Sequence, residues 1–266
     1  IVKRASGNAL FLEELIRCAA EGRDELPMTV QALVQLRLDR MSPEVREVLR
    51  AGSVFGQAFW TGGARALLER DVAAELAELT ASEIITHQPE SRIAGDDEWL
   101  FRQALVRDTA YASILEEDLA ALHLAAGGWL ESVGNVDAGL VARHAEAGGD
   151  RPRAAALYAR ATRQAYTNGA QLETALELAD RGLACGAEEG VRAQLLLAKA
   201  QVCTFMGRLT EGIDAAEEAG RVAPQGSDMW GEAQRLGAAA LIESGRSKEG
   251  DRLAADALLP ATRGAL

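Results

Sequence analysis

The sequence predicts a mainly α-helical fold that includes stacked helical repeats. The segment Gly207–Gly212 (GRLTEG) returns 38 positions later as Gly245–Gly250 (GRSKEG), and an alanine follows seven residues after each second glycine. Self-similarity at a fixed period of this size indicates a solenoid. Alanine fills 52 of the 266 positions and aromatic residues only 5%, a composition typical of closely packed helices. Such folds usually bind other macromolecules rather than catalyse.

The charge and cysteine content exclude several classes of protein. The formal net charge is −12, from 28 basic and 40 acidic residues, which argues against nucleic-acid binding because that relies on Lys and Arg. No apolar run approaches the roughly 18 residues of a membrane span. The three cysteines are far apart, so we expect neither a disulfide framework nor a zinc site, and a reducing cytoplasm fits best.

The first segment, 1–41, reads as a turn followed by two helices. An amphipathic stretch begins at Leu10, and a second helix follows Pro27 with Thr29 as its N-cap. The chain opens with Ile1 rather than Met and inside a helical pattern, so we expect it to belong to a longer protein.

The second segment, 42–104, changes character along its length. Ser42, Pro43 and Glu44 form a strong helix-start signal. Short helices at about 61–69 and 72–82 precede two β-like runs at 84–87 and 99–101. Three helices followed by a hairpin predict a winged helix.

The remaining sequence is helical throughout. Residues 105–150 read as connecting helical hairpins, with a break near Glu116 and a stop at Gly148–Gly149. Residues 151–266 read as three helical pairs: 151–167 with 171–185, 191–206 with 209–222, and 228–244 with 247–259. The turns within the pairs are predicted at Asn168–Gly169, Gly207 and Gly245.

The segment Gly207–Pro224 resembles a tetratricopeptide repeat. Gly207 ends a first helix, Ala200 and Gly212 are small where the paired helices approach, and Pro224 closes the unit. The period is four residues longer than the 34 of that family, and the large consensus aromatics are mostly replaced by Leu, Cys and Ala. The alternative is an all-α bundle in which the repeated glycines are coincidental.

Two strings in the front half are more specific. They are Ser6–Ile16 (SGNALFLEELI), followed by Leu26–Val30 (LPMTV), and Phe101–Tyr111 (FRQALVRDTAY). Both resemble the region that follows the nucleotide-binding core in bacterial STAND-class signal-transduction ATPases. The resemblance implies a lid segment at 1–41, then a winged helix, then a tetratricopeptide-like arm.

In that family the lid turn lies against the adenine of ATP or ADP. The matching residues here are Gly7, Asn8, Ala9 and Leu10, with Ala9 where proline is usual. The resemblance therefore implies ATP or ADP for the longer protein, while a plain helix-capping turn is the alternative. A phosphate-binding loop needs Gly-Lys followed by Ser or Thr, and none of the three lysines follows a glycine. We therefore expect no enzyme activity and no cofactor from this chain alone.

Other candidate sites are weak. His87, His123 and His144 show no metal-ligand spacing, so a structural or surface role is favoured. The predicted recognition helix, 72–82, carries Glu75 and Glu78 and no basic residue, which disfavours DNA binding.

The first helices of the predicted pairs are expected to line a groove for a protein or peptide, since they carry mixed polar residues around two aromatic rings. A solvated face without a partner is the alternative. The groove residues are Arg163, Tyr166, Gln194, Gln201, Thr204, Phe205, Glu232, Arg235 and Glu243.

These observations predict the regulatory and sensing arm of a signalling ATPase, with effector binding at the repeats and an intramolecular contact to the nucleotide domain. Two alternatives stay open. One is a DNA-binding regulator that acts through the winged helix, and the other is a passive oligomerisation scaffold.

Overall fold

The computed structural model describes residues 30–134, 136–167 and 171–257. Contacts divide the chain into two compact units, Ile1–Val133 and Gly134–Leu266. The predicted segment 105–150 falls on both sides of this division, and the four-part organisation of the sequence analysis stays a prediction. None of the described helices is long and apolar enough to cross a membrane.

The first unit contains six described helices and a small sheet. Its central helix packs against four other helices and a strand. The helices are α1 (Val30–Asp39), α2 (Pro43–Phe55), α3 (Thr61–Leu68), α4 (Ala73–Ala81), α5 (Ala104–Ala112) and α6 (Glu116–Val133).

The central helix α2 begins where the sequence predicts. The Ser42 hydroxyl accepts a hydrogen bond from the Val45 amide at 3.3 Å, and Pro43 occupies the first turn. This cap satisfies one of the amides that a helix start leaves unpaired. Eight of the 13 residues of α2 are buried, so the helix forms the core on which the unit is built.

The sheet has three antiparallel strands in the order β1-β3-β2. They are β1 (Ala58–Trp60), β2 (Ile85–Gln88) and β3 (Glu98–Phe101). On the two sides of β3, Phe59 and His87 both pair with Trp99. The sequence predicts β2 and β3 but not β1, because three buried residues in a row show no strand alternation.

An aromatic cluster joins α2, β1 and α6. The Phe55 ring meets Trp60 and Trp129 edge-on, with centroids 6.1 and 5.6 Å apart, and the two tryptophan rings lie 5.9 Å apart. These are the distances at which aromatic pairs attract beyond their buried area. The cluster fixes α6 to the strand side of the unit.

The second unit is a row of helices that pack against their neighbours. Each helix contacts the next, and α8 also contacts α10 as α10 contacts α12. This is the pattern of paired helices stacked in a solenoid. The helices are α7 (Ala138–Ala147), α8 (Arg151–Thr167), α9 (Leu172–Ala184), α10 (Glu189–Phe205), α11 (Leu209–Val222), α12 (Asp228–Glu243) and α13 (Ser247–Ala257).

The 38-residue echo corresponds to two equivalent turns. Gly207 and Gly245 have φ of 71° and 85°, a backbone conformation that favours glycine. The next residue closes each helix end, since the Arg208 amide donates to the Cys203 carbonyl and the Arg246 amide to that of Leu241.

The side chains of the two turns repeat as well. Arg208 donates through Nε and Nη2 to the two oxygens of Glu211, and Arg246 does the same to Glu249. Because sequence, backbone and side chains agree at both turns, the echo is structural and not coincidental.

The helix pairs approach most closely at two buried glycines, as the sequence predicts. A Cβ at Gly212 would lie 3.3 Å from the Ala200 carbonyl oxygen, and one at Gly250 would lie 2.8 Å from that of Ala238. A larger residue at either glycine would therefore require a facing side chain to move or the helices of the pair to separate. The predicted turn at Asn168–Gly169 lies outside the described residues.

A polar cluster that the sequence analysis does not predict ties α7, α8 and α9 together. The Tyr158 hydroxyl and the Arg181 guanidinium both donate to one carboxylate oxygen of Glu146, each at 2.6 Å. The guanidinium also lies 5.3 Å from the centre of the Tyr158 ring. Burial, and then the bond to Glu146, raises the pKa of Tyr158 far above its ordinary value, so the hydroxyl stays a donor.

These features confirm the predicted fold class. The described chain is mainly α-helical, with a small hairpin in its first unit and a tetratricopeptide-like solenoid in its second.

Candidate binding face of the helical repeats

The first helices of the three pairs, α8, α10 and α12, stand side by side in the second unit. Their outward side chains therefore form one continuous strip, which we call the first-helix face. All nine residues predicted to bind a partner lie on these three helices with partly or fully exposed side chains.

Two aromatic rings meet on the first-helix face, at the C-terminal ends of α8 and α10. Tyr166 of α8 and Phe205 of α10 meet edge-on, with ring centroids 5.6 Å apart and planes at 73°. Phe205 is 69% exposed, which is unusual for a large apolar side chain. The pair bridges two neighbouring repeats and presents an apolar surface to solvent.

Neutral amides and one arginine accompany the rings. Gln201 is partly buried on α10 one turn before Phe205, and Arg163 is exposed on α8 one turn before Tyr166, while Gln194 is exposed about three turns before Phe205 on the same face. Amide side chains both donate and accept hydrogen bonds. The surroundings of the rings can therefore bind the polar backbone of an extended chain.

Thr204 faces the inside of its helical pair. Its hydroxyl donates to the Ala200 carbonyl at 2.8 Å and lies over Gly212, where a Cβ would come within 2.8 Å of it. Its main structural contact is thus with α11, although the side chain is only partly buried.

The α12 part of the face is charged. The Arg235 guanidinium lies 3.5 Å from the Glu232 carboxylate, and these side chains are 69% and 43% exposed. Such an exposed pair adds little stability, so its charges remain available to a partner. Glu243 is also exposed, at the end of the same helix.

The sequence analysis did not name Ile242, which is 44% exposed at the end of α12. Ile242 lies 38 residues after Thr204, and its Cγ1 packs over Gly250 as Thr204 packs over Gly212. The repeat period alone would have identified it. It adds an apolar side chain near Glu243.

The other predicted candidates are structural or fall outside the described range. Gly7, Asn8, Ala9 and Leu10 lie outside the described residues, so the adenine contact stays a prediction. Among the described residues, no group of three His, Cys, Asp or Glu side chains could hold a metal ion.

Two of the histidines are buried and one lies on the sheet surface. His123 is hydrogen bonded to the Tyr111 hydroxyl at 2.8 Å, and burial lowers its pKa. His144 is buried in α7, whereas His87 is exposed and lies 3.2 Å from Asp97. These positions agree with the structural and surface roles that the sequence favours.

The predicted recognition helix corresponds to α4, which is acidic as expected. Glu75 is bonded to Arg70 at 2.5 Å, whereas Glu78 is exposed. The helix carries no Lys or Arg, so it offers a DNA phosphate no countercharge.

A solved structure is similar over almost the whole chain. It is the crystal structure of a Signal Transduction ATPase with Numerous Domains (STAND) protein with a tetratricopeptide repeat sensor, from Pyrococcus horikoshii, at a TM-score of 0.61 and 15% sequence identity. The fold is that of a tetratricopeptide-like helical arm. The likeness covers 94% of this chain but 36% of that protein. No family model matches the sequence, and no curated protein does either.

Proposed function

We propose that the chain is the sensor arm of a STAND-type signalling ATPase and that its first-helix face binds a protein or peptide. The exposed Phe205 ring against Tyr166 carries this proposal, because an exposed pair of large aromatic side chains on a repeat face indicates an interaction site. The fold likeness to a STAND protein with a tetratricopeptide repeat sensor supports it.

The chemistry of the face favours a peptide segment with an apolar side chain. The two rings offer a site for an aliphatic or aromatic group, and large aromatic residues commonly dominate binding energy at interfaces. Gln194 and Gln201 can bond to a peptide backbone, and Arg163 adds a positive charge for an acidic side chain. A rigid small-molecule pocket is not needed for this type of recognition.

The first unit is proposed to relay the bound state to the nucleotide domain. Its order α2-β1-α3-α4-β2-β3 is that of a winged helix, and the acidic α4 suits a protein contact better than DNA. In the longer protein, Gly7–Leu10 would contact the adenine of ATP or ADP. Hydrolysis would belong to that nucleotide domain, because this chain has no phosphate-binding loop.

We place the longer protein in the bacterial cytoplasm. Cys185 and Cys203 are free and buried, and burial raises the pKa of both thiols. Unreactive reduced thiols are typical of a reducing compartment.

The proposal is tested with peptides that are selected from a displayed random library for binding to the full chain. Their affinities are then measured by fluorescence anisotropy against the wild type, Phe205→Ala and Arg163→Ala. We expect Phe205→Ala to weaken binding at least tenfold without changing the thermal midpoint, since the ring is mostly exposed. Val133→Ala, which shortens an exposed side chain of the first unit, is the matched control.

Two results would reject the assignment. Selected peptides that bind Phe205→Ala and Arg163→Ala as tightly as the wild type would place the site elsewhere. A molecular mass that doubles between two concentrations in light scattering, together with loss of that association in Phe205→Ala, would make the face an oligomer contact instead.

A further inference from the structure

The first unit contains a groove that the sensor function does not use. It lies between α2, α3 and α6, has a volume of about 610 Å³, and we call it the α2–α3–α6 groove. Most of its lining is apolar. Its apolar side chains include Leu67, Leu68, Ala121, Leu122 and Ala125.

The apolar surface extends beyond the groove itself. Leu115, at its edge, is 62% exposed, and Leu124, on the adjacent stripe of α6, is 38% exposed. Ala121 and Ala125 are also exposed and lie one turn apart. Small residues at this spacing permit another helix to approach closely, so the surface suits a helix laid into a groove better than a compact ligand.

The charge at the groove is acidic. Helix α6 carries Glu116, Glu117 and Asp118 in its first turn and no Lys or Arg along its length. All three carboxylates are exposed, and no basic side chain of the described residues pairs with them. They are stable there without a partner because they lie at a helix N-terminus.

Two other charged groups belong to the lining, and only Glu47 has an oppositely charged partner. Arg50 donates through Nε to the Ser113 hydroxyl at 3.1 Å, and the Glu47 carboxylate lies 3.2 Å from Arg70. Because the Ser113 hydroxyl is neutral, Arg50 keeps its positive charge, but the three carboxylates of Glu116, Glu117 and Asp118 outnumber it and leave the edge of the groove acidic.

We propose that the α2–α3–α6 groove binds an amphipathic helix of another protein, with large aliphatic residues on one face and Lys or Arg on its flank. Charge complementarity selects this occupant. The amphipathic stretch Leu10–Ile16 of the same chain carries two glutamates, and a second copy of the chain has a net charge of −12. Both are repelled by the acidic edge of the groove.

The test measures by fluorescence anisotropy how tightly three labelled 18-residue helical peptides bind to the full chain. The first has leucines at i, i+4 and i+7 with flanking lysines, the second has the same leucines with flanking glutamates, and the third has serines in place of the leucines. We expect only the lysine-flanked leucine peptide to bind, and its affinity to fall with added salt.

Three variants locate the site. Ala121→Arg fills the groove and should weaken binding at least tenfold, whereas Ala77→Arg, at an equally exposed alanine of α4, should not. Asp118→Lys leaves the apolar lining intact and should shift the preference toward the glutamate-flanked peptide. Unchanged thermal midpoints would show that each variant is folded.

Several results would overturn the proposal. They are equal binding of the lysine- and glutamate-flanked peptides, wild-type affinity in Ala121→Arg, or binding of none of the three peptides. This test is independent of the one for the first-helix face, because Phe205→Ala should not change the binding of the lysine-flanked peptide to the α2–α3–α6 groove.

Discussion

Replacing Gly212 with alanine tests the close packing of the α10–α11 pair. The new Cβ would lie 2.8 Å from Oγ1 of Thr204 and 3.3 Å from the Ala200 carbonyl oxygen. The hydroxyl is held in place by its own bond to that carbonyl. The methyl group therefore has to rotate Thr204 away from this bond or push α11 away from α10.

Two opposing effects set the magnitude. Alanine is a better helix former than glycine by up to about 1 kcal/mol, and overpacking a tight interface costs about 1–3 kcal/mol. We expect Gly212→Ala to lower the free energy of unfolding by about 1 kcal/mol. The matched control is Gly231→Ala in α12, where a Cβ meets nothing within 4 Å, so only the gain of up to about 1 kcal/mol remains.

The assay is urea unfolding followed by far-ultraviolet circular dichroism, with midpoints compared at constant slope. Adding Thr204→Ala to Gly212→Ala removes the closest atom and should recover most of the loss, a coupling that a double-mutant cycle measures. If Gly212→Ala proved as stable as Gly231→Ala, or if Thr204→Ala gave no recovery, the helices would not be as close as described.

Four further substitutions test three other features by thermal or urea unfolding. Burial lowers the pKa of His123 below its ordinary value of 6.5, so the unfolded chain binds a proton at this residue at a higher pH than the folded chain does. The contribution of neutral His123 to stability is therefore complete above pH 6.5 and is lost as the pH falls further. The thermal midpoint of His123→Gln should depend less on pH in this range than that of the wild type. Glu146→Leu leaves the Arg181 charge and the Tyr158 hydroxyl without their acceptor and should lower the free energy of unfolding by about 1–2 kcal/mol. Tyr158→Phe should lower it by about 1 kcal/mol. If both variants were as stable as the wild type, the described bonds to Glu146 would not contribute to stability. Gly207→Ala forces a Cβ into a turn with φ of 71° and should cost about 1 kcal/mol, and an unchanged urea midpoint would contradict the described turn.

Local signals made the helices predictable. The Ser42–Pro43 start is encoded within one turn of chain, and the structure shows the expected side-chain cap. The turns at Gly207 and Gly245 were also predictable, because a positive φ strongly favours glycine there. The repeat follows from the spacing of these glycines, so the architecture of the second unit could be read without any long-range information.

Features that depend on distant partners were not predictable. Strand β1 has three residues and is defined only by its pairing with β3, about 40 positions later. The bond between Glu146 and Arg181 joins residues 35 apart on different helices. Neither pattern is visible in a window of local sequence, because each depends on how separate helices and strands pack.

The candidate site was predicted in part. The period placed Phe205 on the outward side of α10, and the structure shows it exposed. Its contact with Tyr166 depends on the rotation of α8 relative to α10 and could not be derived from spacing. Thr204 differs from its predicted position: helical spacing predicts it in the groove, whereas its hydroxyl lies over Gly212.

The strand order in the first unit has a consequence for the way this part of the chain is made. β1 and β2 both pair with β3 and not with each other, yet β3 is the last of the three to leave the ribosome. Neither earlier strand has a ladder partner until residues 98–101 emerge. Both ladders therefore depend on the same four residues, and the sheet cannot close before Glu98–Phe101 has been made; until then, Ala58–Trp60 has its contacts with α2 and α3.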